Sequence, residues 1–241
     1  MPFNIGGYIY NGGIADPQDY LSIVNRGLTL HLDASAPSSY PTTGTTWSDI
    51  SGNSNNGTLT NGPTFNSGNG GSIVFDGSND YVVLTNASTP LTNLSYETIL
   101  RIDSIPASNT FRSIWQKSAD WNGNTGISLQ MIYGSLTFSY GSFWGGSVSY
   151  SLSNLTVGNW YYIVGTSSSV SSGTSKMYIN GFLVATGANA ATPTSTSDLT
   201  LGYGNGGGFL GNISVFRTYN RELSAAEITQ NYNAQRSRFG I

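Results

Sequence analysis

The sequence predicts an all-β protein, a sandwich of two antiparallel sheets with a short C-terminal helix. Glycine accounts for 31 of 241 residues and only 9% of residues are charged, which is typical of short strands joined by many turns. Short runs that alternate apolar and polar residues are separated by Gly, Asn, Ser and Pro, a pattern that favours half-buried strands. The hydrophobic share of 38% is enough to fill a core between two packed sheets.

The individual strands are predicted from these period-two runs. In the first run, residues 28–33, three leucines point to one side and His31 to the other, so we expect His31 on an exposed face. Asn180-Gly181 between two apolar runs predicts a hairpin with a type I′ turn, because both positions tolerate positive φ. The other predicted strands are residues 73–76, 81–84, 96–102, 111–116, 127–133, 136–140, 148–152, 160–166, 176–179, 182–186, 199–201 and 212–217.

One helix is predicted at the C-terminus. Ser224 and Glu227 have the spacing of a capping box, which marks the start of a helix. Ala225, Ile228 and Tyr232 share one face of that helix. We expect the helix to cap the sandwich rather than to enter its core.

The first 25 residues differ from the rest of the chain. Gly-Gly pairs and Asp16-Pro17 break any regular element there, so residues 1–25 are interpreted as an arm and residues 26–241 as the folded domain. The arm is either a loosely attached tail or an anchor that packs on a neighbouring subunit. The aromatic residues of such an anchor are Phe3, Tyr8, Tyr10 and Tyr20.

Composition argues against several classes of function. A net charge of −3 gives no general attraction to nucleic acid. No run of about 18 apolar residues predicts a membrane span, and the N-terminus does not resemble an export signal. The absence of cysteine excludes disulfides, thiolate nucleophiles and sulfur-ligated zinc. We therefore expect a product made in the cytoplasm, with a cleaved signal on a longer precursor as the rival explanation.

Three blocks, in this order, carry a family resemblance. The first is WSDISGNSNNGTLTNGP and SIVFDGSNDYVVL within residues 47–84, preceded by residues 28–34; the second is residues 158–164 with the hairpin at 178–181. The third is residues 211–241. Together they resemble laminin-G-like, concanavalin-A-like lectin jelly rolls, and the third block is most similar to the versions found in virion structural proteins of tailed bacteriophages.

The resemblance implies a function in binding or assembly rather than in catalysis. It implies a structural or display protein on the surface of a phage particle: a capsid decoration or cement protein, a head fibre or a tail adhesin. Its partners would be other virion proteins or further copies of itself, as a homo-oligomer. The alternative is a carbohydrate-binding module that recognises a host or environmental glycan, with or without the help of calcium.

The sequence does not predict an enzyme. Sandwich glycosidases need two carboxylates flanking the scissile bond, but the only glutamates are Glu97, Glu222 and Glu227, at unsuitable spacing. His31 is the only histidine, and no nucleophile elbow accompanies it. Residues 202–207 match a dinucleotide fingerprint, but a strand follows instead of a helix, which indicates a simple glycine loop.

The resemblance also leaves open whether the protein binds calcium. Residues 118–124 occupy the place where pentraxin relatives present their first aspartate and asparagine ligands. The later loop, after Leu201-Gly202, lacks the acidic groups of those relatives, although calcium prefers several carboxylates. The metal candidates are Asp76, Asp80 and Asp120; the alternative for the first two is that they cap turns.

A carbohydrate site is predicted in glycine-rich loops, because exposed aromatic rings stack on sugars while Asn and Asp bind hydroxyls. The alternative is that these aromatics pack within their own loops, and Trp160 and Tyr178 are expected in the core. The candidate sugar-binding residues are Asp120, Trp121, Asn122, Asn124, Tyr140, Trp144, Tyr203 and Asn205.

Overall fold

The computed structural model describes residues 22–85, 87, 89–107, 109–118, 126–168, 173–189, 191–204 and 206–241, and all of their side chains except those of residues 142–145. These parts of the chain contain sixteen strands and one α-helix. In chain order the elements are β1 (Leu28–Asp33), β2 (Thr46–Trp47), β3 (Gly57–Thr60), β4 (Thr64–Asn66), β5 (Ser72–Asp76), β6 (Tyr81–Leu84), β7 (Leu94–Ile102), β8 (Arg112–Lys117), β9 (Ile127–Ile132), β10 (Ser135–Tyr140), β11 (Ser142–Ser151), β12 (Trp160–Ser167), β13 (Thr174–Ile179), β14 (Phe182–Ala188), β15 (Leu199–Leu201), β16 (Leu210–Tyr219) and α1 (Ala225–Phe239).

The strands form two antiparallel sheets that pack as a sandwich, as predicted. Sheet A has the order β14-β13-β12-β7-β16-β5-β4, with β1 also paired to β16, and sheet B has the order β11-β10-β9-β8-β15-β6-β3-β2. Every predicted strand is present, whereas β2, β3 and β4 were not predicted. No described segment forms a helix long and apolar enough to cross a membrane.

The core between the sheets is built from the inward side chains of both. Leu30 and Leu32 of β1 are fully buried in this core, as predicted. Leu28 does not share their side: a register shift between Leu28 and Leu30 leaves it half-buried against the cluster on the outer face of sheet A. Trp115 stacks on Tyr96 with ring centroids 4.8 Å apart, and its ring meets the edge of Phe216 at 5.8 Å. Aromatic contacts of this kind stabilise the core beyond the burial of their area.

Helix α1 packs on the outer face of sheet A, so it caps the sandwich as predicted. The Ser224 side chain accepts a hydrogen bond from the Glu227 backbone and the Glu227 side chain reaches back to Ser224, which confirms the capping box. A second apolar cluster lies between helix and sheet, and it includes Ile228 together with Trp160 and Tyr178. Those two aromatics are buried as expected, but under the helix instead of between the sheets.

A row that includes buried charges crosses the outer face of sheet A beneath α1. The strand register places Tyr178, Val164, Glu97, Arg217 and His31 side by side on five neighbouring strands. The Glu97 and Arg217 side chains have no solvent exposure, and 3.5 Å separates Glu97 Oε2 from Arg217 Nη1. A buried ion pair needs further hydrogen bonds to offset the cost of desolvating both charges.

Glu97 receives those bonds from the sheet and from the helix. The Tyr162 hydroxyl and the Asn231 Nδ2 group, the latter at 2.8 Å, donate to Oε1, and the Tyr219 hydroxyl lies 3.4 Å from Oε2. Asn231 also accepts a hydrogen bond from the Val24 backbone at 2.7 Å. The carboxylate therefore ties α1 and the segment before β1 to sheet A.

His31 is not on an exposed face, so that prediction was wrong. The residue does point away from the core between the sheets, but it lies half-buried beside Arg217 on the face that α1 covers. Burial, and secondarily the positive charge of Arg217, lower the pKa of His31 from 6.5 to about 3. The imidazole is consequently neutral throughout the range in which a free histidine becomes protonated.

Acid should destabilise the protein through His31. Below pH 6.5 the unfolded chain binds a proton at this histidine that the folded chain excludes, so the free energy of unfolding falls, by about 2–3 kcal/mol at pH 4.5. In His31→Gln this dependence between pH 6.5 and 4.5 should disappear in urea titrations. The depressed pKa of Asp33 and of Glu227 adds losses mainly below about pH 4. An equal slope in both proteins would contradict the assignment.

Candidate functional site

The outer face of sheet B carries a transverse row of mostly hydroxyl and amide side chains. The register aligns one residue from each of the eight strands, and none of these side chains is charged. In sheet order from β2 to β11 the row is Thr46, Thr58, Val83, Thr200, Gln116, Ser128, Ser139 and Ser147. Neutral groups that both donate and accept hydrogen bonds match the hydroxyls of a sugar.

Solvent exposure varies along this row. Gln116, Ser128 and Ser139, on β8 to β10, are buried, whereas Thr58 is exposed and Thr200 is half-buried. A ligand can therefore reach the part of the sheet formed by β3, β6 and β15. We call this surface the polar face and define it by Thr58, Thr60, Tyr81, Val83, Thr200 and Tyr203.

Two tyrosines form the aromatic end of the polar face. Tyr81 is the cross-strand neighbour of Thr60, and its ring lies 6.3 Å from the Tyr203 ring at an angle of 37°. Tyr203 is 38% exposed, and its backbone carbonyl accepts a 3.0 Å hydrogen bond from the Thr200 hydroxyl. The Tyr203 ring is thus held beside the hydroxyl row with much of its surface free for contact.

The glycine loop after β15 sets the position of Tyr203. Gly202 adopts φ +87° and donates its backbone N–H to the Ile114 carbonyl at 2.8 Å. The Gly204 backbone lies so close to β8 that a Cβ atom there would meet Gln116 Oε1 at 2.2 Å. Strand β16 follows this loop, which confirms the predicted glycine loop. The match to the dinucleotide fingerprint is therefore not at the start of a helix, where a phosphate would bind.

Asp76 and Asp80 act as turn acceptors between β5 and β6. Asp76 Oδ1 accepts the Ser78 backbone N–H at 2.7 Å, and Asp80 Oδ2 accepts the Asp76 backbone N–H at 3.1 Å. Burial raises the pKa of Asp80. Among the described residues no group of three His, Cys, Asp or Glu side chains converges as a metal site would require. The turn-capping alternative accounts for both aspartates.

Of the eight predicted sugar-binding residues, the structure describes the side chains of two, Tyr140 and Tyr203. Tyr140 is fully buried in the core between the sheets, so its ring cannot contact a surface ligand. Trp144 lies in β11, but its side chain is outside the described residues. Also outside them are Asp120, Trp121, Asn122, Asn124 and Asn205, and the arm aromatics Phe3, Tyr8, Tyr10 and Tyr20.

The calcium alternative combines residues 118–124 with the loop after Leu201-Gly202, and residues 119–125 lie outside the described residues. Because β15 runs antiparallel to β8, Gly202 is beside Ile114, whereas Lys117 Nζ donates to the Ser197 carbonyl before β15. Ser118, the last described residue before this gap, therefore follows the end of β8 that points away from Gly202. The pentraxin-type calcium site stays a prediction, because Asp120, Asn122 and Asn124 are outside the described residues.

Sequence reasoning missed most of the polar face. Thr58 and Thr60 belong to β3, which was not predicted. The signal that could have found Tyr81 and Thr200 was the alternation of β6 and β15, since Val82, Leu84, Leu199 and Leu201 are all buried.

The glutamates outside the buried row are held in ion pairs. Glu222 accepts a hydrogen bond from Lys176 at 2.8 Å, and Glu227 pairs with Arg221 through two bonds of 2.7 and 2.8 Å. These pairs line an open depression of about 620 Å³ between β13 and the start of α1. Within each of these two pairs the opposite charges satisfy one another.

Comparison with known proteins agrees with the architecture. Residues 76–229 match a family described as the Concanavalin A-like lectin/glucanases superfamily. No curated protein sequence matches the chain.

Solved structures of botulinum neurotoxin domains have a similar fold. The serotype D binding domain superposes with a TM-score of 0.69 at 16% identity, over 88% of this chain and 53% of the toxin domain. The binding domain of neurotoxin DC in complex with SialylT gives 0.67 and 18%, over 88% and 52%. A neurotoxin type C structure, described through cell entry that depends on two ganglioside molecules, gives 0.68 and 18%, over 88% and 52%.

The chain spans about half the length of these toxin domains, and at this identity the likeness shows the fold alone. The family match, in contrast, covers more than half of the 241 residues. The protein therefore belongs to the concanavalin A-like lectin/glucanase superfamily.

Proposed function

We propose that this domain binds a neutral carbohydrate on the polar face and does not transform it. The observation that carries the proposal is an uncharged row of hydroxyls that ends at the exposed ring of Tyr203, in a lectin-superfamily fold. The apolar face of a sugar ring would stack on Tyr203, and the Thr58, Thr60 and Thr200 hydroxyls would bind sugar hydroxyls.

The absence of charged side chains on the polar face favours a neutral sugar as the ligand. An acidic sugar would need a cation or several N–H donors for its carboxylate. None of the six residues of the polar face is an aspartate, glutamate, lysine, arginine or histidine. The proposed ligand is therefore neutral, in contrast to the SialylT and ganglioside ligands associated with the toxin structures.

The engaged state of the three glutamates supports binding without hydrolysis. Glu97 is fully buried beneath α1, and Glu222 and Glu227 are paired with Lys176 and Arg221. A glycosidase needs two carboxyl groups on either side of a bound sugar. We therefore expect no new reducing ends when the protein is incubated with an oligosaccharide that it binds.

Tyr203→Ala should weaken glycan binding about tenfold or more, because the sugar loses its stacking contact with the ring. A contact that contributes about 1.4 kcal/mol to the binding free energy corresponds to a tenfold change in affinity. A glycan array would identify a neutral ligand, and calorimetric titration of the purified proteins would measure its affinity. Phe182→Ala is the matched control, because Phe182 is 73% exposed on the edge strand β14, away from the polar face. Equal affinity of Tyr203→Ala and the wild type would refute the site, and an array that responds only to acidic glycans would refute the ligand class.

A role in a bacteriophage particle stays a prediction from the resemblance of residues 211–241. It is compatible with glycan binding, because a displayed lectin domain can attach a particle to a cell surface. Mass spectrometry of purified virions would test it: hundreds of copies would indicate decoration, a handful would indicate a fibre or tail component, and absence would refute the role.

A further inference from the structure

Among the described residues, Arg217 is the buried side chain with the most atoms that lack a hydrogen-bond partner. Its side chain is fully buried, and no described residue accepts a hydrogen bond from its Nε, Nη1 or Nη2 atoms. Glu97, at 3.5 Å, supplies the opposite charge but lies beyond hydrogen-bond distance of a well-formed pair. A guanidinium has five N–H donors, and leaving them unsatisfied away from water costs several kcal/mol.

Two further unsatisfied atoms belong to the same layer between α1 and sheet A. His31, the cross-strand neighbour of Arg217, has a buried Nε2 atom without a partner among the described residues. Gln235 of α1 has a buried Oε1 atom in the same condition. Directly opposed residues on neighbouring strands have Cβ atoms about 4.5–5.5 Å apart, so His31 and Arg217 border the same space.

The contacts of α1 place Gln235 above that space. Asn231, one turn earlier, contacts Glu97 on β7, and Arg238, nearly one turn later, contacts Asp33 on β1 at 3.0 Å. Arg217 lies on β16, the strand between β7 and β1. Gln235 therefore crosses the sheet over Arg217 and beside His31.

We infer that ordered water molecules bind between α1 and sheet A and bridge Arg217 to His31 and Gln235. Water satisfies all three groups at once, because it accepts from the guanidinium, donates to the glutamine oxygen, and serves either tautomer of the imidazole. This solvent site lies on the opposite sheet from the polar face and is independent of glycan binding. It makes the middle of the interface wet, while the part around Ile228 is apolar.

The local charges favour water over an anion. Arg217 faces Glu97, and Arg238 is paired with Asp33, so the two cations of this layer already have two carboxylates. His31 is neutral, because burial and Arg217 depress its pKa. A halide would add an uncompensated negative charge to a buried region.

A high-resolution crystal structure of the full chain grown in bromide would test the assignment. We expect solvent peaks about 2.7–3.2 Å from an Arg217 nitrogen and from Gln235 Oε1 or His31 Nε2, without an anomalous bromide signal. A bromide peak at this position would show that the site binds an anion and would contradict the assignment to water. A dry interface in which protein groups satisfy Arg217 would overturn the inference altogether.

A solution measurement provides the second test. Long-lived internal water transfers magnetisation to nearby backbone amides in NMR experiments. We expect this transfer at the amides of His31 and Arg217, and we expect it to be lost in Arg217→Met. Gln235→Leu should weaken the same signals and is the informative variant if Arg217→Met fails to fold. Lys176→Met, which changes a partly exposed ion pair, is the control that should leave them unchanged. Unaltered signals in Gln235→Leu and Arg217→Met would contradict the site.

Discussion

Replacing Glu97 by leucine should lower the free energy of unfolding by about 3–5 kcal/mol, because it leaves the buried Arg217 charge without a counter-charge. The substitution also removes the acceptor for the Tyr162 hydroxyl and for Asn231 of α1. Urea unfolding followed by tryptophan fluorescence measures the loss. In the folded fraction of the variant we expect weaker hydrogen-exchange protection of α1, since its polar attachment to sheet A is gone.

The matched control is Glu222→Leu, the same substitution in a partly exposed ion pair. Lys176 remains solvated when Glu222 is removed, so the expected loss is only about 0–1 kcal/mol. The double variant Glu97→Leu/Arg217→Met should recover part of the loss, because no unpaired charge is then buried. If Glu97→Leu costs no more than Glu222→Leu, the buried row does not stabilise the docking of α1.

The strands could be predicted because short apolar runs, alternating as in β1 or continuous as in β12, are separated by turn residues. The inward leucines of β1 and the Asn180-Gly181 turn are local signals that the fold obeys: Asn180 and Gly181 both have positive φ. Strands β2, β3 and β4 were missed because residues 46–66 are rich in Gly, Asn and Thr. Their pairing is fixed by neighbouring strands and not by local preference.

The site residues were harder to predict, for two different physical reasons. The burial of Tyr140 could have been predicted from the sequence, because Tyr140 alternates in step with Leu136 and Phe138 and so lies on the same face of β10. The burial of His31 was not, because it depends on a helix that begins almost 200 residues later and covers the outer face of sheet A. The polar face likewise depends on register between strands that are distant in sequence.

Gly202→Ala should be among the most damaging single-methyl substitutions in the chain. An added Cβ atom would lie 2.1 Å from the ring of Phe75, a fully buried core residue, and the backbone has φ +87°. Overpacking of a core costs about 1–3 kcal/mol and a left-handed non-glycine residue about 1–2 kcal/mol. We therefore expect a loss of about 3–4 kcal/mol in urea unfolding, together with weaker glycan binding through the displaced Tyr203.

Two other glycines separate the contributions of strain and overpacking. Gly134 has φ +74° but open space around its Cβ position, so Gly134→Ala should lose only the strain, about 1–2 kcal/mol. Gly165 has no positive φ, but its Cβ would lie 2.5 Å from the Phe138 ring, so Gly165→Ala should show overpacking alone, about 1–3 kcal/mol. The change in unfolded-chain entropy is the same in all three variants and cancels in the comparison. If Gly202→Ala is no more destabilising than Gly134→Ala, the Tyr203 loop does not pack against the core as closely as its geometry requires.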